Sequence, residues 1–134
     1  LEYLVRFNGD LTETFRALAG ILIGDPASPM LWNLFLAGFE LPPHPDDLFI
    51  HGVRVAHLEL ADDIAFICLS APGMQQKLLH FESYCGSSFL HVNIPKTLGA
   101  VFGPLPDPLP VLVLYSQPLT WVPQATYVGT TFCS

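Results

Sequence analysis

The sequence predicts an α+β fold, an antiparallel sheet with helices packed on one face. Three observations carry this expectation. Short apolar runs rich in β-branched residues alternate with turn signals such as Asn8-Gly9-Asp10. Only two segments carry helix chemistry, one opening at Ser28-Pro29 and one spanning 70–86. Strands and helices do not alternate as a repeating βαβ pattern, so a parallel sheet is not expected.

Taken in order, Tyr3 to Phe7 and the turn at Asn8-Gly9-Asp10 predict a short hairpin continuing toward Phe15. Ala17 to Ile23 is apolar and leads into the rigid loop Gly24-Asp25-Pro26-Ala27-Ser28-Pro29. Ser28 is the expected N-cap of the first helix, with Pro29 at its first position. That helix runs through Met30, Leu31, Leu34, Phe35 and Phe39 and is apolar on nearly every side, which predicts burial. A proline-broken loop covers 41–47, and Phe49 to Val55 is a short hairpin turning near Gly52.

His57 to Cys68 forms two apolar runs around Asp62-Asp63, a hairpin with the aspartates at its tip. The second helix places Met74, Leu78, Phe81 and Cys85 on one face, and Gly86 is its expected closing residue. Leu90 to Ile94 and Leu98 to Phe102 are expected strands, separated by a bend at Pro95-Lys96-Thr97. After the proline-rich loop 103–110, Val111 to Tyr115 and Thr126 to Phe132 are the last expected strands, with Leu119 to Val122 pairing between them.

Composition narrows the function classes. Half of the residues are hydrophobic and only 13% are charged, which excludes a disordered tail. No apolar stretch is long enough to span a bilayer, so no membrane partner is expected. No basic segment precedes an apolar core at the start, so no secretory signal is expected. Three cysteines without a CxxC pair suggest a reduced, intracellular chain, in nucleus or cytoplasm. The five histidines show no zinc spacing. With five Lys and Arg residues and a net charge of -7, the chain is poorly equipped to grip phosphates by itself.

Asp62-Asp63 is the candidate reactive element. Adjacent like charges in an apolar setting resist desolvation and invite a hard divalent cation. A solvated turn is the plain alternative. Adjacent residues of an extended strand point to opposite faces, so a turn at this pair is needed for both to reach one site.

On four blocks in order, the chain resembles the palm of a reverse transcriptase of the non-LTR retrotransposon type. These are Gly24-Asp25-Pro26-Ala27-Ser28-Pro29 with Leu31-Trp32-Asn33, then Ala61-Asp62-Asp63, then Leu90-His91-Val92-Asn93 with Lys96-Thr97, and finally Tyr127-Val128-Gly129. The resemblance implies a polymerase palm-like fold over 1–134 and RNA-directed DNA synthesis, with magnesium or manganese as cofactor. Its partners would be an RNA template, a DNA primer and a nucleoside triphosphate. It assigns Asp62 and Asp63 to metal binding and catalysis, and Lys96 to the leaving pyrophosphate. Gly24, Asp25, Pro26, Ser28 and Pro29 fall to template and nucleotide, and Tyr127, Val128 and Gly129 to the primer end. Two metal ions would clamp the attacking and leaving oxygens of an in-line displacement.

Three departures from the family pattern bear on activity. The family's other catalytic aspartate lies upstream of Asn8, and the chain opens on Leu1 rather than Met. A partial domain is therefore expected, lacking that strand, the fingers and most of the thumb, and inactive alone. Asp10, in a turn, is no substitute. Ile23 stands where glutamine is usual and cannot make the same hydrogen bonds, and Leu60, beside Glu59, stands where an aromatic is usual. The alternative is a non-catalytic remnant acting as a binding or structural module.

Overall fold

The computed structural model describes residues 2–16, 20 and 24–133. The apolar run 17–23, including Ile23 at the expected glutamine position, therefore lies largely outside the described residues. The chain is mixed α+β and divides into two compact units, Leu1–Gly38 and Phe39–Ser134.

The first unit opens with a ribbon. β1 (Glu2–Tyr3) pairs with β4 (Phe15–Arg16), and β2 (Arg6–Phe7) with β3 (Asp10–Leu11), both antiparallel. Asn8 and Gly9 both take positive φ, at 51° and 95°, as a tight two-residue hairpin turn requires. Tyr3 and Phe15 stack across the ribbon with centroids 5.8 Å apart.

Helix α1 is Ser28–Leu36, so it ends three residues before Phe39. Ser28 is its first residue rather than its N-cap, which is Ala27. No side chain among the described residues caps it; just before the helix, Asp25 Oδ1 accepts the Ala27 amide at 2.8 Å in a local Asx turn. The expectation of a buried helix fails: Met30 is 76% exposed and Leu34 71%, with Leu31 and Phe35 also exposed. Met30, Leu31, Leu34 and Phe35 recur at helical spacing, yet the face they form stays exposed.

The second unit is built around α2 (Ala71–Ser87). Ser70 caps it, its hydroxyl accepting the Gly73 amide at 3.2 Å. At the other end the left-handed residue is Phe89 (φ 56°), not Gly86, which lies inside the helix. The Leu90 amide reaches back to the Cys85 carbonyl at 2.9 Å, closing the helix in a Schellman arrangement. The expected apolar stripe is present: Leu78, Phe81 and Cys85 are buried and Met74 packs beside them.

Two core clusters flank this helix. One joins Phe39, Leu41, Ala56, Phe81 and Cys85, the other Leu78, Leu112 and Leu114, with Phe66, Val92 and Tyr115 packed against both. Gly73 is required by close approach, because a Cβ there would lie 2.6 Å from Cys68 Sγ and 2.8 Å from the His44 ring.

The strands form two-stranded pairs; among the described residues they do not merge into one broad sheet. β5 (Leu48–Ile50) and β6 (Val53–Val55) make the expected hairpin, turning at His51 and Gly52. β7 (His57–Leu60) and β8 (Asp63–Phe66) make the next. The expected strand at 90–94 is replaced by irregular backbone and a 3-10 turn, Ile94–Lys96. β9 is only Leu98–Gly99. β10 (Val113–Leu114) pairs with β11 (Gln117–Pro118), and β12 (Thr120–Trp121) pairs with β9 in parallel, against the antiparallel expectation. β13 (Gln124–Tyr127) and β14 (Thr130–Cys133) form the last hairpin. None of the helices among the described residues is long and apolar enough to cross a membrane.

Candidate functional site

The Asp62–Asp63 hairpin turns one residue earlier than its sequence suggests. Leu60 pairs with Asp63, so the two turn residues are Ala61 and Asp62, and Asp63 already begins β8. Ala61 takes φ 53°, a left-handed conformation that costs a residue with a Cβ of order 1 kcal/mol. Asp62 and Asp63 are both exposed. On the preceding strand, Glu59 Oε1 lies 2.8 Å from His57 Nε2, which ties that carboxylate back along its own strand.

The last hairpin meets this one. Its turn residues Val128 and Gly129 have φ of 50° and 75°, and Tyr127 stands at the end of β13. The Tyr127 hydroxyl donates to the Asp63 carbonyl oxygen at 3.5 Å, at the long limit of a hydrogen bond. Partial burial, then the carboxylates of Asp63 and Glu59, raise the Tyr127 phenol above its ordinary pKa. The hydroxyl therefore stays protonated and able to donate across the neutral range.

Lys96 is exposed at the end of the 3-10 turn and makes no hydrogen bond or ion pair to Asp62 or Asp63 among the described residues. Gly24 (φ 91°), Asp25, Pro26, Ser28 and Pro29 belong to the first unit. Gly24 holds a left-handed conformation, and the Asp25 carbonyl accepts the Ser28 amide at 3.1 Å.

Carboxylate oxygens suit a hard divalent cation, and the exposed pair Asp62 and Asp63 could supply them. The fit is to part of a metal site: no group of three or more His, Cys, Asp or Glu residues able to hold a metal occurs among the described residues. Burial pushes the Cys85 thiol above its ordinary pKa, against an opposing hydrogen bond from Tyr115.

Sequence reasoning missed the most enclosed charges in the unit. Lys77 is 3% exposed and Asp47 2%, and they form an ion pair. Asp47 also accepts the His44 amide at 2.9 Å and Arg54 Nη1 at 3.0 Å. Burial alone would raise the Asp47 carboxyl; Lys77, the His44 amide and Arg54 together outweigh it and hold the pKa below its ordinary value. The only sequence signal is Lys77 falling one residue before Leu78 on the apolar side of α2.

Compared with known protein families, curated proteins and solved structures, the chain matches none.

Proposed function

We propose that the chain carries palm elements of a reverse transcriptase, with the Asp62–Asp63 hairpin as its metal-binding edge. What supports this reading is the meeting of Tyr127 with Asp63. The two hairpins that the sequence resemblance assigns to metal and to primer end are neighbours, although 64 residues separate them in sequence. A palm-like arrangement of the second unit belongs to the same proposal.

In this reading Asp62 and Asp63 hold a magnesium or manganese ion, which supplies charge neutralisation at the reacting phosphate. Tyr127 steadies the start of β8, and the Val128-Gly129 turn faces the primer end. Lys96 offers a cation or a proton to the leaving pyrophosphate; the Gly24–Pro29 loop, in the first unit, is assigned to template and nucleotide by the sequence resemblance alone. RNA template and DNA primer are the partners. Two carboxylates alone leave the metal clamp incomplete, so the chain by itself is expected not to extend a primer.

The test is a magnesium titration followed by NMR on wild type and Asp62→Ala. Specific shifts at Asp62 and Asp63, abolished by the substitution, are the expected result; a flat titration on a folded chain would remove the metal reading. The second reading, a non-catalytic binding or structural module, is favoured by the apolar side chains Met30, Leu31, Leu34 and Phe35 that α1 leaves exposed. It predicts no magnesium response.

A further inference from the structure

The hairpin that carries Asp62 and Asp63 is gripped at its open end by a buried lysine. Ala56 and Ile67 flank β7 and β8, and the Ile67 amide donates to the Ala56 carbonyl at 2.9 Å, so these residues close the base of the ribbon. Lys77 Nζ donates to the Ile67 carbonyl at 2.7 Å and the Ala56 carbonyl at 3.3 Å, and ion-pairs with Asp47. An ammonium has three donors, and here each has an acceptor.

The partners are main-chain atoms of the ribbon and a carboxylate on the preceding loop, so this lysine welds three segments: loop 41–47, the hairpin base and α2. The same helix holds other backbone in the same manner. Gln75 exchanges two 2.8 Å hydrogen bonds with the Val113 peptide group, and Glu82 accepts the Tyr115 amide at 2.9 Å.

We propose that Lys77 is the positioning residue of the Asp62–Asp63 hairpin, fixing its base on α2 and thereby the place of its carboxylates. The consequence for metal binding rests on the reading of this hairpin as a metal-binding edge; the anchoring itself does not. Leverage gives the reason for a charged group at this point. Four residues of strand carry Asp63 roughly 13 Å from Ile67, so a rotation of about 10° at the base moves the tip by roughly 2 Å. Metal ligands are placed to within about 0.2 Å, so a loosened base disperses them. An apolar side chain of the same length would fill the space but withdraw one donor each from the Ile67 carbonyl, the Ala56 carbonyl and Asp47. Ala56 would keep only the Ile67 amide, and Asp47 only the His44 amide and Arg54.

The experiment uses the full chain, manganese ion as probe, Lys77→Gln, and the double variant Asp47→Asn with Lys77→Gln, which removes both buried charges together. Amide exchange is read at Ile67 and at Leu78 and Phe81 of α2, and paramagnetic broadening at Asp62 and Asp63. In wild type, Ile67 should exchange as slowly as the α2 amides; fast Ile67 exchange there overturns the proposal, whatever the variants do. In a folded variant, Ile67 protection should fall at least tenfold relative to α2, and the manganese needed for half-broadening at Asp62 should rise at least tenfold. Ile67 protection kept in the variants, or lost with manganese response unchanged within twofold, overturns it. A wild type that shows slow Ile67 exchange but no broadening at Asp62 instead removes the metal reading and leaves the anchoring standing.

Discussion

The two helices handle apolar residues in opposite ways. α1 is almost wholly apolar over its nine residues, yet it buries only Ser28 and Leu36. α2 mixes Gln, Lys, His and Glu with its apolar residues and seals Leu78, Phe81 and Cys85 into two clusters. Apolar content does not decide burial by itself. The stripe on α2 has two clusters of its own unit to pack against, whereas Met30, Leu31, Leu34 and Phe35 on α1 stay exposed. The helix starts differ as well. α2 has a hydroxyl cap from Ser70 in extended conformation, whereas the residue before α1 is Ala27, already helical.

Three substitutions break or sharpen this contrast. The largest effect is expected for Leu78→Ala, which empties a buried site on α2 and should cost about 2–5 kcal/mol in chemical denaturation. An intermediate loss of about 1 kcal/mol is expected for Ser70→Ala, with fraying visible as faster exchange in the first turn of α2. Leu34→Gln on α1 should change stability by less than about 0.5 kcal/mol, because a side chain that is 71% exposed loses little by becoming polar. A large destabilisation from Leu34→Gln would mean that this face is covered in solution, and would erase the contrast.

How much of this was legible depends on whether the signal is local. The turns at Asn8-Gly9 and His51-Gly52 were readable because the positive φ needed there leaves its mark in glycine and asparagine. The stripe on α2 was readable because its period is a property of the helix alone. Local signals also misled. Gly86 suggested the end of α2, but tertiary packing of Leu90 against the core carries the chain on to Phe89, a 91% exposed phenylalanine in a left-handed conformation. The Asp62-Asp63 pair was legible as a hairpin, but its turn falls on Ala61-Asp62, since register is set by cross-strand pairing that a single run does not reveal.

What lay furthest from view were long-range pairings. Leu98-Gly99 lies parallel to Thr120-Trp121, and a Cβ on Gly99 would sit 2.9 Å from the Trp121 ring, a constraint visible only once both segments are in place. Lys77 is the clearest case at the candidate site. A lysine on a helix is ordinarily solvated, and it takes the carbonyls of Ala56 and Ile67, 21 and 10 residues away, and the Asp47 carboxylate to give it reason to be inside. The contact between Tyr127 and Asp63 was hidden for the same reason.

The division of the strands into separate pairs has a consequence for behaviour in concentrated solution. A two-stranded ribbon exposes main-chain donors and acceptors along both outer margins, and such margins recruit strands from other molecules. Here the pairs are two to four residues long among the described residues, thirteen prolines interrupt the chain, and the net charge is -7. Short margins give an incoming strand little length to zip along, proline withholds an amide, and shared negative charge keeps copies apart. The same acidity that poorly suits the chain to grip phosphate thus opposes strand-to-strand approach along these margins.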